Sequence, residues 1–128
     1  MGIGEICNRA VVIASREMKV AEAARLMREH HVGDILIVEE ENGGRRPIGI
    51  VTDRDIVLET VATGVDPAFV TAGEIMSSGL ASVEENTGVF ETMVFMREKG
   101  IRRLPVVDPK GDLVGIVTLD DLIEGFHR

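Results

Sequence analysis

Tryptophan and tyrosine are absent from these 128 residues, and four phenylalanines supply the whole aromatic content of 3%. Single-strand nucleic-acid binders stack bases on aromatic side chains, so a base held here would lie between aliphatic groups. Positive charge is also scarce: 14 Lys and Arg face 22 Asp and Glu, a net charge of −8. Binding to a phosphate backbone relies on a basic surface, which disfavours nucleic acid as a partner. Any anionic ligand must be held by a few local arginines. One cysteine, Cys7, excludes an internal disulfide and suits a reducing compartment. No apolar run reaches the roughly 18 residues of a membrane span, and no basic-then-apolar leader opens the chain. The expectation is a cytoplasmic protein with no membrane partner.

What is present is a phrase used twice. Residues 49–55 read GIVTDRD and residues 115–121 read GIVTLDD. The match extends beyond the phrase. At a shift of 69, Gly4-Glu5-Ile6 falls on Gly73-Glu74-Ile75, Val20 on Val89, Met27-Arg28-Glu29 on Met96-Arg97-Glu98, and Val38 on Val107. The shift drops to 66 where EEENGGRRP is replaced by the shorter DPKGD, and Gly49 to Thr52 then fall on Gly115 to Thr118, with Asp55 on Asp121. The chain is a duplication, read as residues 1–66 and 67–128.

Each copy carries the same plan. A short extended stretch (Val11–Ile13; Leu80–Val83) leads to a helix, marked in the first copy by Val20, Ala23, Ala24 and Met27 at the spacing of one buried face. Two strand-length apolar runs follow, Ile35–Val38 and Ile48–Val51, or Leu104–Val107 and Leu113–Val117, joined by Gly-containing turns. A second helix runs from Asp53 to about Ala62, or from Leu119 to about Phe126, and Gly64-Val65-Asp66-Pro67 is the turn that closes the first copy. The order β-α-β-β-α, twice, is an α/β (α+β) fold.

Thr52 and Thr118 stand where a strand gives way to a helix, each with an aspartate three places on, which is the spacing of a capping box. On that reading the phrase is structural, and Gly49 and Gly115 are strand positions approached closely by another backbone. The same geometry also suits a ligand. A helix start offers free amides to an anion, and an ionised aspartate suits the two hydroxyls of a ribose. Spacing alone leaves both readings open, and they are compatible.

The paired GIVTxxD phrase, the G-E-I-C/M segment near the start of each copy, and IRRLPVVD at 101–108 closely resemble the cystathionine β-synthase (CBS) domain family. The resemblance spans residues 3–127 and identifies the chain as a tandem CBS pair, or Bateman module, standing alone. It implies two β-α-β-β-α units packed through their sheets, with two pseudo-symmetric clefts that bind AMP, ADP, ATP or S-adenosylmethionine. It further implies that Thr52 and Asp55 share a cleft with Arg102 and Arg103, next to Ile101, whereas Thr118 and Asp121 share the other with Gly33 and Asp34. Two guanidiniums suit a phosphate and Asp34 repels one, so the Asp55 cleft is the expected nucleotide site, with AMP favoured. The adenine edge would be read by backbone near Val12, Val32 and Gly33. Ser82 offers a hydroxyl in the second copy where the first has Ile13, and Cys7 replaces the methionine found at Met76.

The remaining features have plainer readings. Cys7 has no His or Asp in a catalytic relation to it and reads as a small buried thiol, with a redox-responsive thiol as the lesser option. His30 and His31 are adjacent, which suits the polar end of a helix better than a metal pair at i, i+4. His127 sits at the expected frayed terminus. Glu39-Glu40-Glu41 reads as a solvated loop, and TDRD lacks the spaced acids and glycine of a Ca²⁺ loop. Phe90, Met93, Val94, Phe95 and Met96 make one helix apolar on more than one side, covered either within the chain or by a second copy in a homodimer. The expectation is therefore a regulatory sensor without enzymatic activity, metal or catalytic residues, acting on an effector protein since the chain has no room for an attached catalytic domain. The alternative is a constitutive interaction protein with vestigial clefts.

Overall fold

Alternating and continuous apolar runs become strands here, and the interrupted 3.6-residue pattern becomes helix. The computed structural model describes residues 2–126, so the expectation for His127 lies outside the described residues. Two compact units divide the chain: Val12–Leu80, and Met1–Val11 together with Ala81–Arg128. The first contains β1 (Ile13–Ala14), α1 (Val20–His30), β2 (Asp34–Glu41), β3 (Gly44–Thr52), α2 (Asp53–Ile56) and α3 (Ala72–Ile75). The second contains β4 (Val83–Glu84), α4 (Val89–Lys99), β5 (Arg103–Val107), β6 (Leu113–Thr118) and α5 (Leu119–Phe126). Each has one three-stranded sheet, β1-β2-β3 or β4-β5-β6, whose first pair is parallel and second antiparallel. This is the mixed α+β fold expected from the sequence.

In the unit Val12–Leu80, Ala23 and Met27 of α1 pack with Ile35, Ile37, Val51 and Ala72. In the other, Met96 of α4 packs with Ile3, Leu104, Val106, Val117 and Leu122. Helix α1 ends on His31, in the left-handed region at φ 55°, and α4 ends on Gly100 at φ 67°. The amides of Val32 and Ile101 then return to the carbonyls of Met27 and Met96, each at 3.0 Å, closing both helices in the same way.

The compact units are not the two linear halves, because the leading segment of each copy packs with the body of the other copy. Asn8 pairs antiparallel with Ile116, and Ser77, its counterpart, pairs with Ile50. These bridges explain the glycine of the repeated phrase. A Cβ on Gly49 would stand 2.6 Å from Met76 Sδ and 2.9 Å from the Ser77 carbonyl oxygen. One on Gly115 would stand 2.5 Å from the Asn8 carbonyl oxygen and 2.9 Å from Cys7 Sγ. Cys7 and Met76 thus do the same packing work at equivalent places.

Three sequence expectations need correction. Glu39-Glu40-Glu41 is not a loop: these residues extend β2 and pair with Arg46, Arg45 and Gly44. Opposite charges across the ladder favour that pairing, with Arg46 Nε 3.6 Å from Glu41 Oε2. Asn42 (φ 52°) and Gly43 (φ 81°) supply the two positive φ angles of a tight hairpin turn. The helix expected from Asp53 to Ala62 is α-helical only through Ile56 and continues as a π-helical turn, Val57–Val61. Finally, β1 and β4 begin two and three residues later than their apolar stretches suggested, since the paired register covers Ile13–Ala14 and Val83–Glu84.

Candidate functional site

Each GIVTxxD phrase folds as the end of a strand, a capped turn and the start of a helix. At the first, the Asp55 amide donates to Thr52 Oγ1 at 3.0 Å and the Thr52 amide donates to Asp55 Oδ2 at 2.9 Å. At the second, the Asp121 amide donates to Thr118 Oγ1 at 3.2 Å and the Thr118 amide to Asp121 Oδ2 at 3.0 Å. Both are reciprocal capping boxes, in which each threonine cap contributes about 1 kcal/mol to its helix. The structural reading of the phrase is therefore correct. It does not exhaust the carboxylates: the capping bonds engage Oδ2, and a carboxylate has about four lone-pair sites. All four side chains are half-buried, so their outer edges face solvent.

The entry to the central strand of each sheet is tied to this turn. The Asp53 amide donates to the Gly33 carbonyl at 2.9 Å, and Asp34 stands opposite Thr52 in the ladder. In the other unit the Leu119 amide donates to the Arg102 carbonyl at 2.8 Å, and Arg103 stands opposite Thr118. Within its own unit, then, Asp55 shares a locality with Val32, Gly33 and Asp34, whereas Asp121 shares one with Ile101, Arg102 and Arg103. The partners assigned across the copies, Arg102 and Arg103 for Asp55 and Gly33 and Asp34 for Asp121, belong to the opposite unit in each case. The Val12 carbonyl accepts a hydrogen bond from the Leu36 amide at 3.2 Å. Ser82 is exposed immediately before β4, while its counterpart Ile13 lies inside β1. Sequence reasoning passed over Asp53, whose amide makes the bond to the Gly33 carbonyl.

Cys7 is half-buried, with its thiol toward the Gly4 carbonyl at 3.5 Å. Burial pushes its pKa above the ordinary thiol value, against the opposing influence of Arg9. Its sulfur packs beside Gly115 of β6. Among the described residues, no group of three or more His, Cys, Asp and Glu stands together as a metal-ligand set.

Two copies of the CBS domain pattern match the sequence, at residues 3–61 and 72–128. The chain belongs to the CBS domain family. An uncharacterised protein of Methanopyrus kandleri is 43% identical over 124 residues, 97% of this chain, and the chain spans 62% of that relative's length. Among solved structures, Hypoxic Response Protein I with two coordinated zinc ions superposes with a TM-score of 0.82 at 35% identity, covering 97% of this chain and 98% of that one. A CBS domain pair in complex with 5′-methylthioadenosine and S-adenosyl-L-methionine superposes at 0.79 with 27% identity, covering 99% and 96%. A hexameric CBS-CP12 protein from bloom-forming cyanobacteria superposes at 0.78 with 31% identity, covering 96% and 69%. CBS pairs of this fold therefore differ in what they hold and how they assemble.

Proposed function

We propose that this CBS pair is a non-enzymatic regulatory module that binds an adenosine-containing ligand between its repeats. The observation that supports this most directly is the paired Thr-x-x-Asp turn, whose carboxylate keeps acceptor capacity beside a helix start after capping. The related CBS pair that holds S-adenosyl-L-methionine and methylthioadenosine agrees with an adenosyl ligand. On this reading Asp55 accepts from the ribose hydroxyls of AMP, ADP or ATP, Thr52 lies beside it, and Arg102 and Arg103 of the other repeat take the phosphate as bidentate donors. Asp121 and Thr118, opposite Gly33 and Asp34, hold an uncharged or cationic adenosyl group or none. Ligand binding changes the balance between two arrangements of the pair, a homodimer in this reading, and an effector protein responds to that balance.

The test is isothermal titration of the wild type and Asp55→Asn with AMP, ATP and S-adenosyl-L-methionine. Asparagine keeps a capping oxygen for the Thr52 amide but removes the charge, so the fold is retained. AMP binding that falls at least tenfold in Asp55→Asn and in Arg103→Ala supports the assignment. AMP binding untouched by Arg103→Ala and abolished by Asp121→Ala would reverse the two clefts. Flat titrations with all three ligands would leave the capping role alone and favour a constitutive interaction protein.

A further inference from the structure

The hairpins that join the long strands are built differently in the two copies. In the second copy the turn is tied by its own aspartate: the Asp108 carboxylate accepts from the amides of Lys110 at 2.9 Å and Asp112 at 3.0 Å. In the first, β2 and β3 continue past Val38–Pro47 through the pairs Glu39–Arg46, Glu40–Arg45 and Glu41–Gly44, and only Asn42 and Gly43 connect them. Asn-Gly suits that turn because both residues take positive φ. The same dipeptide is chemically reactive. A backbone amide nitrogen attacks the side-chain carbonyl carbon of an asparagine just before it, at a rate set by how closely the two atoms approach. Glycine carries no Cβ to obstruct that approach, and the space around Gly43 is open, since even an added Cβ would meet nothing within 4 Å.

The chain holds three asparagines, and all are exposed, so exposure does not rank them. Their surroundings do. Asn8 Oδ1 accepts from the Ala10 amide at 3.0 Å, and the Asn8 backbone is held to Ile116 by both its N–H and its carbonyl. Asn86 Nδ2 donates to Glu84 Oε1 at 2.8 Å, and the following amide, that of Thr87, donates to the Glu84 carbonyl at 2.9 Å. In both places the carboxamide is tied and the next residue is bulky. The Asn42 carboxamide and the Gly43 amide have no hydrogen-bond partner among the described residues.

We infer that Asn42 is a modification site, at which the folded chain deamidates without an enzyme. The Gly43 nitrogen bonds to Asn42 Cγ, the Cγ–Nδ2 bond breaks and ammonia leaves, giving a succinimide. Water then opens the ring. Opening at Cγ gives aspartate; opening at the backbone carbonyl gives isoaspartate, in which the chain runs through Cβ and Cγ. Either product adds a negative charge next to Glu41. Aspartate keeps the turn, because Asp-Gly serves it as Asn-Gly does. Isoaspartate lengthens the connection by one backbone carbon and undoes the Glu41–Gly44 pairing that a two-residue turn requires. The second copy has no asparagine in its turn, so the modification is confined to the first.

The test is incubation of the full chain at pH 8, native and in denaturant, followed by peptide mapping for the mass gain of an amide-to-acid exchange at each asparagine. In the native chain Asn42 should react roughly tenfold or more faster than Asn8 and Asn86. Its products should comprise a species that elutes with Asn42→Asp on ion exchange and an isomer labelled by an isoaspartate-specific methyltransferase. Asn42→Gln, whose longer side chain closes the ring poorly, should abolish both. An Asn42 that reacts no faster than Asn8 and Asn86 in the native chain, or only in denaturant, overturns the inference. Acidic species that persist in Asn42→Gln place the reaction elsewhere and overturn it as well.

Discussion

Gly115→Ala provides the sharpest test of why the phrase begins with glycine. The added methyl would stand 2.5 Å from the Asn8 carbonyl oxygen and 3.1 Å from its carbon. Those atoms belong to a backbone held by two hydrogen bonds, Asn8 N–H to Ile116 O at 2.8 Å and Ile116 N–H to Asn8 O at 2.9 Å. Relief of the clash must move the leading segment or strain it. Overpacking of this kind costs about 1–3 kcal/mol, and weakening two backbone hydrogen bonds adds about 1 kcal/mol. The expected loss is about 2–4 kcal/mol, a large part of the ~5–15 kcal/mol that holds a domain of this kind. It should appear as a drop of about 8–15 °C in Tm by circular dichroism or calorimetry. Gly125→Ala is the control. Its methyl would meet Ile6 Cδ1 at 2.8 Å, the end of a side chain that can rotate away, and alanine regains about 1 kcal/mol of helix propensity. That variant should melt within about 4 °C of the wild type. If Gly115→Ala melts with the wild type or with the control, close backbone approach is not why the glycine is there.

Two further outcomes follow from local geometry. His31→Gly should raise stability by about 1 kcal/mol, because a side chain at φ 55° carries a left-handed strain that glycine, as used at the equivalent Gly100, avoids; chemical denaturation would measure it, and a loss would show that the imidazole makes contacts worth more than the strain. Since burial raises the Cys7 pKa, less thiolate exists at a given pH than for a free cysteine. Alkylation by iodoacetamide at pH 8 should therefore be slower than that of a cysteine peptide and keep accelerating as pH rises past the ordinary thiol range; a faster reaction at pH 8 would contradict the burial.

The duplication, the order of elements and the two capping boxes were legible because each rests on local spacing. Thr52 to Asp55 fixes its own hydrogen bonds whatever surrounds it. Glu39–Glu41 was misread because polarity suggested solvent, yet the Asn42-Gly43 turn places each acid across from Arg45, Arg46 or Gly44, and that pairing decides the conformation. The π-helical turn after Ile56 left no mark in the apolar pattern, since Val57, Leu58 and Val61 satisfy a helix of either kind. The exchange of leading segments was invisible for another reason: alignment of the copies shows that Asn8 matches Ser77, but not which body either one joins. The same limit applies to the ligand clefts. Sequence and local register name the residues on each side, and the partners across the repeats come from the family resemblance.

The exchange of leading segments bears on how such a chain could have arisen. The unit that contains residues 12–66 is completed by the segment that follows it, and the unit that contains residues from 81 on is completed by the segment before residue 12. A lone ancestral repeat had no sibling in its own chain to lend it a strand. It would have had to fold its leader back onto itself or trade leaders with a second molecule, as swapped dimers do. Joining two copies in one chain turns such a concentration-dependent partnership into a permanent one. It also means that the midpoint of the polypeptide is a poor place to cut: either half alone carries a leader with no body to join and a body with no leader.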